Sequence, residues 1–410
     1  MALIDLSPIP GTPTPEPEEE PLTNLPQFSA PREVTTLNEN GEWQIDDSFG
    51  DFRLGIATIG GVRYYLIIWH YFGGVVARKV YDGDPYEGWP SNAVASPVQA
   101  LPRSGLSAGN WDTWDWIQNP NTGLITATGC SKPGVLPTGG GETGFVHCIQ
   151  RATAMDPTSD PADWTRDDQE VILEPHASAP WEGPTIEGSN YSGGVLEQSM
   201  VVLPDTQEVA IFYDGDVVEP GNPTFTGATR YRRMGRAVAP LSTFDTLPAF
   251  SRTPAAGASS WVWSQIENGM LPGQVYGEDD EAVWGTALVP RQAHVSRNPV
   301  SGYLHKVEIG ARPNVLIGPQ NNSTAIGLAW SADDGLTWTT DVNSPIINKD
   351  DIQEALGVPI TDAFFVNSPN LFWDVEGRAV GDRRIYLAFA GAPAGVYQEG
   401  TRLLLCEACF

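Results

Sequence analysis

Three segments of this chain carry carboxylates in surroundings suited to chemistry. Asp51 stands just before a strand-like apolar run. Asp112 and Asp115 lie within Asn110-Trp111-Asp112-Thr113-Trp114-Asp115-Trp116. Glu182 lies within Trp181-Glu182-Gly183-Pro184-Thr185-Ile186. Carboxylates work as a set when one stays protonated and helps a leaving group depart, while another, ionised, activates water or attacks directly. Trp111, Trp114, Trp116 and Trp181 place flat apolar faces beside these acids. Of the five histidines, His70, next to Trp69 at a strand end, is the most pocket-like, and none has metal-ligand spacing. Ser/His/Asp catalysis has no G-x-S-x-G segment to support it. No cofactor is expected. A structural Ca²⁺ has candidate turns in Asp82-Gly83-Asp84, Asp214-Gly215-Asp216 and Glu278-Asp279-Asp280-Glu281, none with EF-hand spacing.

The elements that must position these residues are strands. Forty-three Gly and 35 Pro are spread along 410 residues, and long amphipathic helical patterns are almost absent; Asp350 to Leu356, before Gly357, is the one helix-like stretch. From about residue 31 a unit repeats: an inner strand, a marked turn, an apolar strand, a strand ending near an aromatic, and a short Pro-flanked strand. The first unit places strands at 63–69, 75–81 and 97–101, with Trp89 as its aromatic. The second uses 123–129, 145–152, Trp164 and 171–175. The third uses 208–214, 232–239, Phe244 and 247–250. The fourth uses 302–309, 325–331, Trp338 and 345–348. The fifth has 384–390 and 401–409 and lacks an outer strand. Residues 31–37 (PREVTTL) resemble that missing strand. The pattern predicts an all-β chain, a single five-bladed β-propeller over 31–410, whose last blade is closed by the segment that leads into the first.

Ser331-Ala332-Asp333-Asp334-Gly335-Leu336-Thr337-Trp338 matches the Asp-box of sialidases and other BNR-repeat propellers. Ser331 and Asp333 are suited to bond backbone in the turn, Gly335 to take positive φ, and Trp338 to pack back between blades. The resemblance implies a structural hairpin rather than a catalytic one. The carboxylate segments resemble those of the five-bladed glycoside hydrolases, the arabinanases, β-xylosidases and invertases. That likeness implies Glu182 as general acid, Asp51 as general base, and Asp112 or Asp115 as the second-blade aspartate that tunes the acid, with the tryptophans and His70 lining a sugar site. The sequence departs from the pattern where Phe52 replaces the usual Pro after the first acid, and where 189–194 is inserted after the E-G-P segment.

Charge and composition narrow the partners. The 23 basic and 51 acidic residues give a net charge of −28, which opposes binding to phosphate backbones. No stretch approaches transmembrane length, and the first residues carry no secretion signal. Cys130, Cys148, Cys406 and Cys409 read as ordinary thiols or one bridge of open pairing. Residues 1–30 hold a Pro-rich stretch with the acidic run Glu16, Glu18, Glu19 and Glu20. Such a segment has no core of its own and reads as an extended arm lying on its own domain or on a partner. The expectation is a carbohydrate-binding or decorating propeller mounted on a larger assembly, of the viral (phage-type) tail, fibre or capsid kind. The arm would contact other structural proteins, homo-oligomers being open, and the particle would leave the cytoplasm without a signal peptide. The alternative is an active glycoside hydrolase.

Overall fold

The computed structural model describes residues 25–34, 36–37, 52–69, 74–79, 86, 89–90, 94–95, 112–131, 135–137, 143–145, 148–159, 164–165, 171–174, 195–218, 230–246, 248–252, 291–310, 325–341, 344–357, 365–392 and 402–410. Two short strands come first, β1 (Arg32–Glu33) and β2 (Thr36–Leu37). Sheet 1 contains β3 (Phe52–Ile59), β4 (Val62–Trp69) and β5 (Gly74–Lys79); β6 (Trp89–Pro90) pairs with β2, and β7 (Val94–Ala95) forms the outer edge of the sheet. Sheet 2 contains β8 (Asp112–Gln118), β9 (Ile125–Ser131), β12 (Cys148–Ala154) and β13 (Val171–Leu173), with a side hairpin of β10 (Val135–Pro137) and β11 (Thr143–Phe145). Sheet 3 runs β14 (Val195–Leu203), β15 (Glu208–Val218), β16 (Arg230–Pro240), β17 (Ser251–Arg252). Sheet 4 runs β18 (Arg291–Arg297), β19 (Leu304–Gly310), β20 (Ala325–Ser331), β21 (Thr339–Thr340). After helix α1 (Lys349–Leu356), the last sheet is β22 (Phe365–Asp374), β23 (Arg384–Ala392), β24 (Arg402–Cys409), with β1 on its outer edge. The chain is mostly β-strand, and the sheets are arranged as a β-propeller.

The first strands of successive sheets adjoin one another in a closed circuit, β3 to β8 to β14 to β18 to β22 and back to β3. Each sheet is covered on both faces by its neighbours, so its second strand is apolar almost throughout, as in RIYLAFA and EVAIFYD. Apolar side chains fill the gap between each pair. Ala57, Ile59 and Leu66 meet Trp114 and Trp116 between sheets 1 and 2. Ile117 and Ile149 meet Met200 and Ile211 between sheets 2 and 3. Phe212 meets Val295 and Leu304 between sheets 3 and 4. Val307 and Leu328 meet Leu371 and Leu387 between sheet 4 and the last. Phe372 and Tyr386 meet Phe52, Leu54 and Tyr65 where the last sheet returns to the first.

Hairpins fix the register. The turns after β8 and β18 share the sequence N-P-x-[ST]-G, and they share the hydrogen bonds too. The Oδ1 of Asn119 and of Asn298 accepts the N–H two residues on, at 2.9 and 2.8 Å, and Gly123 and Gly302 donate back to the Asn carbonyls at φ of 77° and 76°. In the turn after β20, Ser331 Oγ donates to Asp333 Oδ1 at 2.8 Å and accepts Gly335 N–H at 2.8 Å. Asp333 also accepts from Thr337 N–H at 2.8 Å and from the Thr337 hydroxyl at 2.6 Å. Trp338 lies edge-on to Phe212 of sheet 3, ring centroids 5.9 Å apart.

Element ends differ from the sequence pattern where tertiary pairing decides them. The outer strand of sheet 1 is β7 at 94–95, and 97–101 lies outside the described residues. Sheet 3 ends on 251–252 rather than 247–250. Sheet 4 ends on 339–340, with Ile347 returning in a single bridge to Ile326. Of the N-terminal segment, residues 25–34 lie along the last sheet: Ser29 N–H donates to the Glu407 carbonyl, Val34 N–H to that of Leu403, and Arg32 pairs with Leu405. Leu25 is buried between sheet 4 and the last sheet, its N–H donating to Asp341 at 3.1 Å. All four cysteines are free thiols. Cys130 opposes Ile149 while Cys148 opposes Ser131, so these two point to opposite faces of sheet 2. No helix among the described residues is long and apolar enough to cross a membrane.

Candidate functional site at the axis

Five polar residues, one from each first strand, occupy equivalent places around the axis: Arg53 on β3, Asp115 on β8, Ser199 on β14, His294 on β18 and Asn370 on β22. All are buried. The residue after each one turns back into the preceding interface, as Leu54, Trp116, Met200, Val295 and Leu371 do. Side-chain alternation along a strand therefore aims the polar five forward, each at the next sheet.

One ion pair and a series of hydrogen bonds run round the axis in one sense. Arg53 Nε lies 3.0 Å from Asp115 Oδ1. Asp115 Oδ2 accepts the N–H of Met200. Ser199 Oγ accepts Val295 N–H at 2.9 Å. His294 Nδ1 accepts Leu371 N–H at 3.0 Å. Asn370 Nδ2 donates to the Phe52 carbonyl at 3.1 Å, closing the circle on sheet 1. Trp116 Nε1 adds a bond to the Arg53 carbonyl at 3.1 Å. The accepting bonds satisfy backbone N–H groups on the open inner edge of the next sheet's first strand. Register shifts fall between Asp112 and Trp114, Leu196 and Ser199, Arg291 and His294, and Asn367 and Asn370, while β3 is unbroken.

Asp115 is the one acid of the ring. Burial raises its carboxyl from the ordinary 3.8 to about 6, opposed by the Arg53 guanidinium and the Met200 N–H. Burial likewise lowers Arg53, with Asp115 pulling the other way. Both Asp115 oxygens are engaged and the residue is 1% exposed, so it holds strands in place instead of facing solvent. In two bulges a non-glycine residue takes left-handed backbone: Glu197 at φ 50° and Ser368 at φ 49°.

Of the residues singled out in the sequence, Asp51, Glu182, Trp111, Trp181 and His70 lie outside the described residues. Asp112 opens β8, paired with Cys130. Trp114 and Trp116 are buried against sheet 1 as core of that interface. Ser331, Asp333, Gly335 and Trp338 belong to the turn between the outer two strands of sheet 4, outside the ring. Among the described residues no group of three or more His, Cys, Asp or Glu side chains is placed to hold a metal. Sequence reasoning missed Arg53, Ser199, His294 and Asn370. A polar residue embedded in an inner-strand run, as in FRLGIATI or SPNLFWD, was the available signal.

No family model matches the chain, and no curated protein matches it. Solved structures do. A thermostable family-43 glycoside hydrolase aligns over 87% of this chain and 87% of its own, at 11% identity and a TM-score of 0.47. An α-L-arabinofuranosidase from Lactobacillus brevis aligns over 86% and 88%, at 12% identity and 0.45. A GH62 hydrolase solved with xylotriose aligns over 92% and 97%, at 12% identity and 0.42. The assignment of the fold rests on the sheets and interfaces described above.

Proposed function

We propose that the chain is a five-bladed propeller that takes carbohydrate at the end of the axis where the first strands begin, and hydrolyses glycosidic bonds there through paired carboxylates. Five four-stranded sheets, five apolar interfaces and a five-membered polar ring support the blade count. The observation that carries the function is the buried Arg53–Asp115 pair. Apolar side chains of similar volume often replace a buried ion pair without loss of stability, so a retained pair there points to a use beyond packing. Perturbed carboxyls held by a specific partner cluster at functional sites. In the sequence, Arg53 follows Asp51 by two residues and Asp115 follows Asp112 by three. The pair therefore ties the strand leading out of one candidate carboxylate to the strand that begins with another.

The test is turnover on panels of aryl glycosides and oligosaccharides, wild type beside Asp51→Asn and Glu182→Gln. Hydrolysis abolished in Asp51→Asn supports the reading. Glycan binding without any turnover supports instead a display role on a larger assembly. In that case partner contacts fall to residues 1–24, because 25–34 are engaged on the chain's own last sheet. Neither binding nor turnover refutes both.

A further inference from the structure

We infer that an aromatic band at the mouth between sheet 4 and the last sheet is a docking site for a polyproline II segment, and that its occupant is this chain's own residues 8–17. The inference does not depend on the hydrolase reading. Tyr303 stacks on Trp330, ring centroids 5.7 Å apart and planes 11° apart. His305, opposite Trp330 in the β19–β20 ladder, lies 5.3 Å from Trp373. Trp373 meets Phe410 edge-on, at 5.7 Å and 88°. His305 is buried, whereas Tyr303, Trp330, Trp373 and Phe410 are half-buried. These rings sit where β20, β22 and β24 end and β19 begins, at the end of the propeller away from the starts of the first strands. Aromatic surface left partly uncovered from ring to ring is the form an interaction site takes.

The N-terminal arm enters the fold beside this band. Leu25 N–H donates to Asp341, and Asp341 N–H donates to the Leu328 carbonyl. Trp330 follows Leu328 by two residues and so shares its face of β20. The chain upstream of Leu25 therefore starts next to the Trp330 end of the band. Residues 18–24 can span up to about 23–25 Å, enough to carry residue 17 along the rings. Residues 8–17 read P-I-P-G-T-P-T-P-E-P, five prolines in ten positions with a single charge. Such a run favours polyproline II, which gives up little entropy on docking, and proline-rich segments dock in aromatic-lined grooves. Pro10 and Pro13 are one full turn of that helix apart, so their rings fall on one face. The band suits proline better than sugar. Tyr303 and Trp330 cover each other's faces and Phe410 stands edge-on, which leaves crevices between rings instead of one open platform. Tethering favours the chain's own segment over that of a second copy. A short tether supplies an effective concentration on the order of millimolar, about a thousandfold above a second copy at micromolar concentration.

The test titrates a fluorescent peptide with the sequence of residues 7–18 into full-length proteins and reads anisotropy. One variant carries Pro8→Ser, Pro10→Ser, Pro13→Ser, Pro15→Ser and Pro17→Ser together, which vacates the site and leaves the sheets untouched. The peptide is expected to bind that variant about tenfold or more tightly than wild type, whose own segment competes for the band. Trp330→Leu and Phe410→Ser, each added to the proline variant, are expected to weaken binding by about tenfold or more. Phe410 is the last residue, and its backbone bonds to Gly381 and Arg383 do not need its ring, so Phe410→Ser keeps the fold if Trp330→Leu does not; thermal melts check both. Equal affinity for wild type and the proline variant overturns the inference, as does binding to neither. Binding that survives Phe410→Ser and a folded Trp330→Leu moves the site elsewhere and overturns it too. A wild type that is dimeric by size exclusion, with a monomeric proline variant, gives the band to a second copy's segment and overturns the assignment to the chain's own.

Discussion

Removing either member of the Arg53–Asp115 pair leaves a different residue stranded, and the two losses should not cost the same. An arginine cannot shed its charge in a protein, whereas an aspartate can take up a proton. Asp115 already sits at about 6, raised from 3.8 by burial. Its folded value lies above its unfolded one, so the group favours the fold most at low pH, and that contribution is lost as pH rises from about 4 to about 6. At about 1.4 kcal/mol per pH unit, holding Asp115 ionised costs the native state about 3 kcal/mol at pH 7. In Arg53→Met the carboxyl, no longer opposed by the guanidinium, stays protonated in the fold, which costs about 4 kcal/mol at pH 7 against the ordinary value of 3.8, and about 1–2 kcal/mol at pH 5. The net penalty relative to wild type is thus about 1 kcal/mol at pH 7 and close to zero at pH 5. Asp115→Leu leaves a buried guanidinium without its counter-charge, costing about 3–5 kcal/mol at both pH values. Urea midpoints of the three proteins at pH 5 and pH 7 read these numbers directly. Equal penalties for the two variants, or an Arg53→Met penalty that does not shrink at pH 5, would refute the reasoning.

Other outcomes follow from the same geometry. Gly335→Ala should cost at least about 2 kcal/mol, since its φ is 85° and a Cβ there would lie 2.4 Å from the Phe212 ring; a melt within 1 °C of wild type (~1 °C being small for such a cost) would contradict it. Deleting residues 1–34 removes β1 and uncovers the sites of Leu25 and Val34, and should lower the melting temperature sharply, as followed by calorimetry. His294→Asn keeps an acceptor for the Leu371 N–H whereas His294→Leu does not, so the Leu variant should be less stable than the Asn variant by about 1–3 kcal/mol in denaturant titrations.

The propeller was legible because its signals are local and repeated. Second strands such as RYYLIIW and EVAIFYD read as apolar runs, and the Ser331–Trp338 turn carries its own hydrogen-bonding groups in sequence. The N-P-x-[ST]-G turns were equally local and escaped only because two copies 179 residues apart, at Asn119 and Asn298, are easily read as separate loops. The ring was a different matter. Arg53, Ser199, His294 and Asn370 share no residue type, and their equivalence appears only when five strands are brought to one axis. Asp112 and Asp115 looked interchangeable in sequence, and only the contacts of Asp115 with Arg53 and Met200 give it to the ring.

The last sheet joins Arg32 to Leu405, 373 positions later. During synthesis β1 emerges long before its partner strand β24 exists. Until then Phe52, Leu54 and Tyr65 have no Phe372 or Tyr386 to cover them, and the ring has a gap between Asn370 and Phe52. The molecule is therefore assembled as an open arc that becomes a circle in its final step. The contacts that make that step are the most distant in sequence, so they form slowly and last. A newborn chain accordingly passes through a period in which its first and last sheets can each meet those of another copy.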